Sequence, residues 1–154
     1  MVKPVFQIGL HPDAKLIREE VFCQEQGFKN EFDELDQTAI SLVLYLDEKP
    51  IATGRLTKVD PATYQIGRVA VRKPYRHQQV GSYLMEFLCQ KARELGAKTA
   101  IVHAQLDKRD FYNRLGFYEF AGGVIDYDEG CPHIYLGKDL YAGKARYRYR
   151  RSVK

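Results

Sequence analysis

The spacing of apolar residues predicts one strong helix in the second half of the chain. Apolar side chains recur at helical intervals there, at Val80, Leu84, Leu88, Ala92 and Leu95. Gly96 follows the last of them and supplies a helix stop. The pattern predicts a helix from about residue 80 to residue 95.

Three strand-like runs precede this helix, over residues 40–46, 51–58 and 64–71. Short turn-forming segments at residues 47–50 and 60–61 join them, and connections this short favour antiparallel pairing. Gly54 and Gly67 lie inside the second and third runs. Glycine inside a strand is typical of a bulge or of a close approach by another group.

The remaining pattern predicts further alternating elements. We expect a strand over residues 5–9, a helix from residue 11 to about 24, and an acidic loop over 25–36. A strand at 99–104, a helix at 108–115 and strands at 117–121 and 134–137 follow. The helix between 64–71 and 99–104 makes those two strands parallel. The fold class is therefore α/β (α+β), with a mixed, mostly antiparallel sheet of about seven strands flanked by helices.

Length and composition indicate one globular domain. The chain has 154 residues, of which 45% are hydrophobic and 29% charged, with a formal net charge of +4. Residues 141–154 hold six of the 24 basic residues and no acid, which leaves the body slightly acidic. We expect a domain over 1–140 and a basic Tyr/Arg-rich tail over 141–154.

The same composition argues against several classes of protein. No apolar stretch is long enough to cross a bilayer, and no signal-peptide core follows Met1, so we expect a cytoplasmic protein with no membrane partner. Cys23, Cys89 and Cys131 are widely spaced without a Cys-x-x-Cys pair. We therefore expect reduced thiols, no disulfide framework and no metal site.

The segment 66–82 combines a strand, a basic loop and the start of the strong helix. The first amides of a helix have no partner within the helix, and they point outward at the positive end of its dipole. Gly81 and Ser82 let an anion approach, and the loop also carries Arg72, Lys73 and Arg76. This arrangement favours a phosphate site; an ordinary capped helix after a solvated basic loop is the alternative.

These residues resemble the GNAT superfamily of acyl-CoA-dependent N-acetyltransferases. Residues 69–71 match its Val-x-Val strand, and residues 76–81 match its pyrophosphate loop at Arg76 and Gly81. Gln79 stands at the first signature glycine, and His77 stands where glycine is common. Residues 105–117 resemble a second family motif. Residues 18–26, 33–36 and 130–133 are similar to a narrower ElaA-like or YjcF-like group.

The resemblance implies acetyl-CoA as cosubstrate, with no metal. The backbone of residues 69–71 would pair with the pantetheine arm, an amide near Val69 would face the acetyl carbonyl, and the loop amides would hold the pyrophosphate. The residues expected to bind the cosubstrate are Val69, Ala70, Val71, Arg76, His77, Gln78, Gln79, Val80, Gly81, Ser82, Gln105 and Tyr112.

Acetyl transfer to a primary amine by direct attack, in a ternary complex, needs an acid for the thiolate and a base for the amine. Tyr112 occupies the position of the family's usual acid, although a core tyrosine would give the same pattern. His133 is the first candidate base because imidazole exchanges protons near neutral pH. Asp36 and Glu34 are its rivals, and a structural histidine is the alternative for His133.

The acidic loop suggests a site for a cationic acceptor, with Glu25, Glu34 and Asp36 as candidate substrate-binding residues. Simple solvation explains most of these carboxylates equally well. His11 and His103 are interpreted as structural. Cys131 is interpreted as a structural or exposed thiol, because Cys131 and His133 form no oriented triad.

The tail leaves a second class of function open. Its alternating tyrosines and arginines would suit a nucleic acid, although a solubilising end or a cover for the sheet edge explains them as well. A non-catalytic acyl-CoA sensor or a nucleic-acid-associated module on the same fold is the alternative to an enzyme. The amine acceptor and the choice between monomer and homodimer stay open.

Overall fold

A computed structural model describes residues 1–141 of the chain, so the predicted basic tail lies outside the described residues except for Tyr141. The strands are β1 (Val2–Ile8), β2 (Ile40–Leu46), β3 (Lys49–Asp60), β4 (Thr63–Val71), β5 (Thr99–Gln105), β6 (Tyr118–Glu119), β7 (Ile125–Asp128) and β8 (Cys131–Asp139). The α-helices are α1 (Pro12–Arg18), α2 (Val80–Glu94) and α3 (Arg109–Arg114). Along residues 1–141, every helix is too short or too polar to cross a lipid bilayer.

The strands form one eight-stranded mixed sheet, which confirms the predicted fold class. Its order is β1-β2-β3-β4-β5-β8-β6, and β7 pairs with β8 beside β6. All pairings are antiparallel except that between β4 and β5. The pattern predicts seven strands because β7 escapes it: the four residues of β7 are all exposed, so no buried face marks the strand.

Helices cover the two faces of the sheet differently. On one face, Leu84 and Leu88 of α2 pack with Leu42 and Leu44 of β2. On the other face, α1 and the turns after it pack on Val43 and Ala70, through Ala14, Ile17, Val21 and Phe22. The alternation of Leu42, Val43 and Leu44 between these two clusters follows from the period of a strand. The first half of the sheet is thus buried on both sides.

The first helix changes its geometry partway. The α-helical part ends at Arg18, and residues Glu19–Glu25 continue as a π-helix, whose last turn is closed by the Gln26 amide donating to the Val21 carbonyl. The sequence pattern predicts the length of this helix but not its widening, because apolar spacing does not separate the two helix types. The widened turn carries Phe22 and Gln26 toward the strand ends of β4 and β5.

β4 and β5 separate partway along their length. Their parallel pairing runs from Thr63 and Thr99 to Ile66 and Val102, and both strands continue beyond it. Just after Ile66, a bulge places Arg68 at φ 52° and breaks the register with β3. The expected bulge is therefore present, one residue after Gly67, and it bends β4 away from β5.

An arginine–carboxylate network anchors the loop between α1 and β2. Arg18 contacts Glu31 at 2.8 Å and Asp36 at 2.7 Å, and its side chain is only 2% exposed. Arg55 and Arg68 reach the same group of carboxylates, so that three guanidinium groups meet three acids. The network consists of Arg18, Arg55, Arg68, Glu31, Asp33 and Asp36.

The hairpin between β7 and β8 holds a second point of that loop. The carboxylate of Glu129, at the hairpin tip, accepts hydrogen bonds from the backbone amides of Lys29 at 2.9 Å and Asn30 at 3.1 Å. These bonds lower the pKa of Glu129, since they favour its ionised form. Two segments about one hundred residues apart are thereby joined.

The two strand glycines give a test of packing. A Cβ atom at Gly54 would lie 2.7 Å from Cδ1 of Leu88, whereas a Cβ atom at Gly67 would have no neighbour within 4 Å. We therefore expect Gly54→Ala to lower the free energy of unfolding by about 1–3 kcal/mol. Gly67→Ala is the matched control and should change it by about 0.5 kcal/mol or less. Urea unfolding measures both, and equal effects would contradict the packing.

The network makes stability depend on acid. Burial opposes ionisation of Asp36, but hydrogen bonds from Arg18, the Asp33 amide and Arg55, with the charge on Arg18, lower its pKa from 3.8 to about 2. The ionised carboxylate thus stabilises the fold at pH values above the ordinary aspartate range. This contribution is lost as the pH falls from about 4 to about 2.

We expect Asp36→Asn to lower the free energy of unfolding by about 2–3 kcal/mol at neutral pH. Between pH 4 and pH 2 the wild type should lose stability more steeply than the variant. Glu34→Gln is the matched control, because Glu34 is exposed. Parallel pH curves for the wild type and Asp36→Asn, from urea unfolding, would show that Asp36 is not the responsible group.

Candidate active site

The separation of β4 and β5 opens a cleft between these two central strands, at their carboxyl ends. The end of the π-helix and the loop after it form one wall, and β8 lies on the opposite side. The cleft is lined by Phe22, Gln26, Phe28, Asn30, Glu31, Ile66, Gly67, Arg68, Val69, Val102, His103, Ala104, Gln105, Lys108, Tyr112, Asp128 and His133. The structure thus brings together four residues that the sequence analysis selected from separate segments: Val69, Gln105, Tyr112 and His133.

Tyr112 reaches the cleft from α3 and is 8% exposed. Its ring stands edge-on to the rings of Phe111 and Phe117, with centroids 5.0 Å and 6.0 Å away. Burial raises the pKa of Tyr112 above its usual value, because the phenolate would lose its hydration. The phenol therefore stays protonated at neutral pH and is available as a proton donor.

His133 lies on β8 with 7% of its surface exposed. Its Nδ1 is 2.9 Å from the backbone carbonyl oxygen of Cys131. A carbonyl oxygen only accepts hydrogen bonds, so Nδ1 carries the proton of the neutral ring. The other ring nitrogen, Nε2, is consequently left without a proton and can accept one.

His103 is a site residue that the sequence analysis assigned a structural role. It lies on β5 and lines the cleft, with Nε2 at 2.7 Å from Oδ1 of Asp126 on β7. Its ring is 4.8 Å from that of His133 and stacks on Tyr135 at 4.3 Å. The usable signal was the strand period, which puts His103 and Gln105 on one face of β5; Asp126 had no signal because β7 was missed.

The loop between β4 and α2 has the backbone expected of an anion site. His77 and Gln79 have φ values of 64° and 68°, in the left-handed region where the family signature has glycine. Each costs about 1 kcal/mol relative to glycine, so the glycine replacements preserve the loop shape at some expense of stability. Among the described residues, no side chain caps the first amides of α2.

Gly81 has a packing role in the first turn of α2. A Cβ atom there would lie 3.1 Å from Cζ of Phe111, the residue before Tyr112. Glycine therefore allows the start of α2 and the start of α3 to approach closely. This contact sets the distance between the loop and Tyr112.

The basic side chains of the loop are largely engaged with the protein itself. Arg76 donates to the Val71 carbonyl at 2.8 Å and pairs with Glu25 at 2.9 Å. Arg72 pairs with Glu20 at 3.0 Å. Lys73 is exposed. Two of the three predicted basic side chains are thus tied to the protein's own carboxylates, which leaves Lys73 and the backbone amides as the groups open to an anion.

The acidic residues predicted to bind an amine are not gathered at the cleft. Glu25 holds Arg76, Glu34 is exposed and does not line the cleft, and Asp36 is buried in the arginine–carboxylate network. A carboxylate with a pKa of about 2, held by Arg18 and Arg55, has little tendency to take a proton. This placement argues against Asp36 as a base. The alternative of simple solvation is also wrong for Asp36, because arginines surround it.

A side-chain hydrogen bond crosses the mouth of the cleft. Nε2 of Gln105 donates to Oε1 of Gln26 at 2.7 Å, which joins β5 to the end of the π-helix. Within residues 1–141, no three histidine, cysteine or acidic side chains are placed to hold a metal ion.

Known proteins are similar to this chain in sequence and fold. Residues 10–117 match the family described as the Acetyltransferase (GNAT) family. YjcF of Bacillus subtilis (strain 168), described as an uncharacterized N-acetyltransferase, is 35% identical over 129 residues, which cover 82% of this chain and 91% of YjcF.

Two solved structures are similar as well. An acyl-CoA N-acyltransferase from Pseudomonas aeruginosa is 25% identical with a TM-score of 0.77, covering 90% of this chain and 99% of that protein. Escherichia coli ElaA shares the fold at 23% identity and a TM-score of 0.79, covering 90% of this chain and all of ElaA. The resemblance to the ElaA-like and YjcF-like group is confirmed, and the chain belongs to the GNAT acetyltransferase family.

Proposed function

We propose that this protein transfers an acetyl group from acetyl-CoA to a primary amine by direct attack within a ternary complex. The observation that carries the proposal is the cleft between β4 and β5, where Tyr112 and His133 face one space beside an open strand edge. Membership of an acetyltransferase family supports the same reaction.

The cosubstrate fits the first half of the cleft. Beyond Ile66 the ladder between β4 and β5 has ended, so the backbone at residues 69–71 offers its edge to the amides of a pantetheine arm. The amides at residues 76–82 are then in line for the pyrophosphate. An amide near Val69 would donate to the acetyl carbonyl as the carbonyl gains charge, and Gln105 would contact the arm.

His133 is the proposed base. An alkylamine arrives as an ammonium ion, which has no lone pair for attack. Nε2 of His133 takes one proton from it, and the free amine then attacks the thioester carbonyl carbon. Since Nδ1 is tied to the Cys131 carbonyl, the ring is held with Nε2 as its proton-accepting atom.

Tyr112 is the proposed acid. When the tetrahedral intermediate collapses, the carbon–sulfur bond breaks and the thiolate takes the phenol proton. The resulting phenolate recovers a proton from the nitrogen of the new amide, so Tyr112 ends the cycle in its starting form. Its raised pKa keeps the phenol protonated at neutral pH. Transfer to the less basic thiolate is completed because the phenolate at once regains a proton from the amide nitrogen, which still carries the second proton of the attacking amine.

Thiol release measured over a panel of primary amines tests the reaction. We expect acetyl-CoA to bind the wild type and an amine to drive thiol release. Tyr112→Phe and His133→Gln should each lower kcat by about 10²–10⁴-fold with acetyl-CoA affinity little changed. Calorimetry with acetyl-CoA provides the separate measurement of binding.

Controls separate this proposal from the alternatives. Tyr64→Phe is a matched tyrosine variant, because Tyr64 is as buried as Tyr112, at 8% exposed, and lies outside the cleft lining; it should keep most of the activity. Binding of acetyl-CoA without thiol release for any amine would instead support a sensor. Retention on nucleic acid that requires residues 141–154 would support the nucleic-acid-associated module.

A further inference from the structure

Two histidines share one wall of the cleft, and an acid holds only one of them. His103 on β5 and His133 on β8 have ring centroids 4.8 Å apart. Asp126 on β7 lies opposite His133 in the strand register but contacts His103, at 2.7 Å. Tyr135 of β8 stacks on the far side of the His103 ring and fixes its plane.

The other charged groups of the cleft exert little net electrostatic effect on the two histidines. Glu31 and Arg68, on the opposite wall, are paired with each other at 3.1 Å, so their fields largely cancel. Lys108 and Asp128 line the cleft with opposite charges, and both are exposed. Asp126 is therefore the acid in direct contact with the pair, through His103, while the neighbours Gln105 and Tyr135 are neutral.

Two positive charges at this separation repel each other, so a proton on one ring opposes a proton on the other. The proton goes first to the ring whose cation is better stabilised. His103 has a carboxylate at hydrogen-bond distance, whereas Nδ1 of His133 meets only a carbonyl. The hydrogen bond to His103 also lowers the pKa of Asp126, because it favours the ionised carboxylate.

We propose that His103 and Asp126 form a positioning pair that takes up the first proton of the two histidines and thereby keeps His133 neutral and ready to accept a proton from the amine. This proposal rests on the proposed function, in which His133 is the base. His103 acts through His133 and does not touch the reacting atoms.

The pair has a consequence for pH dependence. When His103 is protonated, its positive charge opposes protonation of His133. His133 therefore remains able to accept a proton from the amine at lower pH. Replacing His103 by glutamine removes that cation and leaves Asp126 as an uncompensated anion near His133. Both changes favour protonation of His133.

We expect His103→Gln to move the acid limb of the kcat/KM profile to higher pH by about one unit or more at low ionic strength. The double variant His103→Gln/Asp126→Asn lacks both charges, and its limb should return toward that of the wild type. A merely structural role for His103 would lower activity at all pH values and leave the limb in place.

Proton NMR gives a readout that does not need turnover. The chain has four histidines, so the imidazole resonances can be assigned by single substitutions. The titration of His133 should shift to higher pH in His103→Gln and revert in the double variant. Unchanged titration of His133 in His103→Gln, in folded protein, would overturn the proposal.

The two measurements distinguish the two proposals. Full activity of the His133→Gln variant would show that His133 is not the base, and this part of the proposed function would be wrong. The NMR shift of His133 would still report whether His103 and Asp126 control its protonation. A shift by NMR without a shift in the activity profile would mean that the pair acts on a ring that is not the base.

Discussion

The parallel pairing of β4 and β5 is the constraint on which the site depends. It lasts for four residues on each strand and ends at Ile66 and Val102, after which the bulge at Arg68 turns β4 away. The separation leaves one edge of β4 unpaired, and Tyr112 and His133 both line the space that it opens. It also directs the end of β4 toward the loop before α2. A sheet paired along its whole length would have no room for two substrates.

The wall facing this opening is held by charge. Loop 26–37 has few apolar anchors, and the arginine–carboxylate network holds it in their place. Removing one partner from such a buried group leaves the other charges without a partner. The network therefore specifies the position of the loop more than it raises the free energy of unfolding. Arg68 ties this wall to the bulge itself, which connects the shape of the opening to the position of the loop.

Sequence reasoning predicted those parts whose signal is local. The helix α2, the meander of β2, β3 and β4, and the loop at 76–82 follow from periodicity, turns and glycine placement. The partners of Arg18, Asp36 and Glu25 could not be predicted, because these ion pairs join residues 13 to 51 positions apart in the chain. The place of His103 in the cleft was not predicted for a related reason, since its partner Asp126 lies on a strand with no buried face.

Glu129 accepts hydrogen bonds from the amides of Lys29 and Asn30. One side of the cleft is therefore built from two segments that are distant in sequence, the β7–β8 hairpin and the loop after the π-helix. The proposed cosubstrate site, built from β4, its loop and α2, takes no part in that contact. Lengthening or shortening the β7–β8 turn would consequently reshape the proposed entrance for the amine without altering the proposed nucleotide site. Such a division of labour lets one scaffold change its choice of acceptor through a few residues at a single hairpin tip.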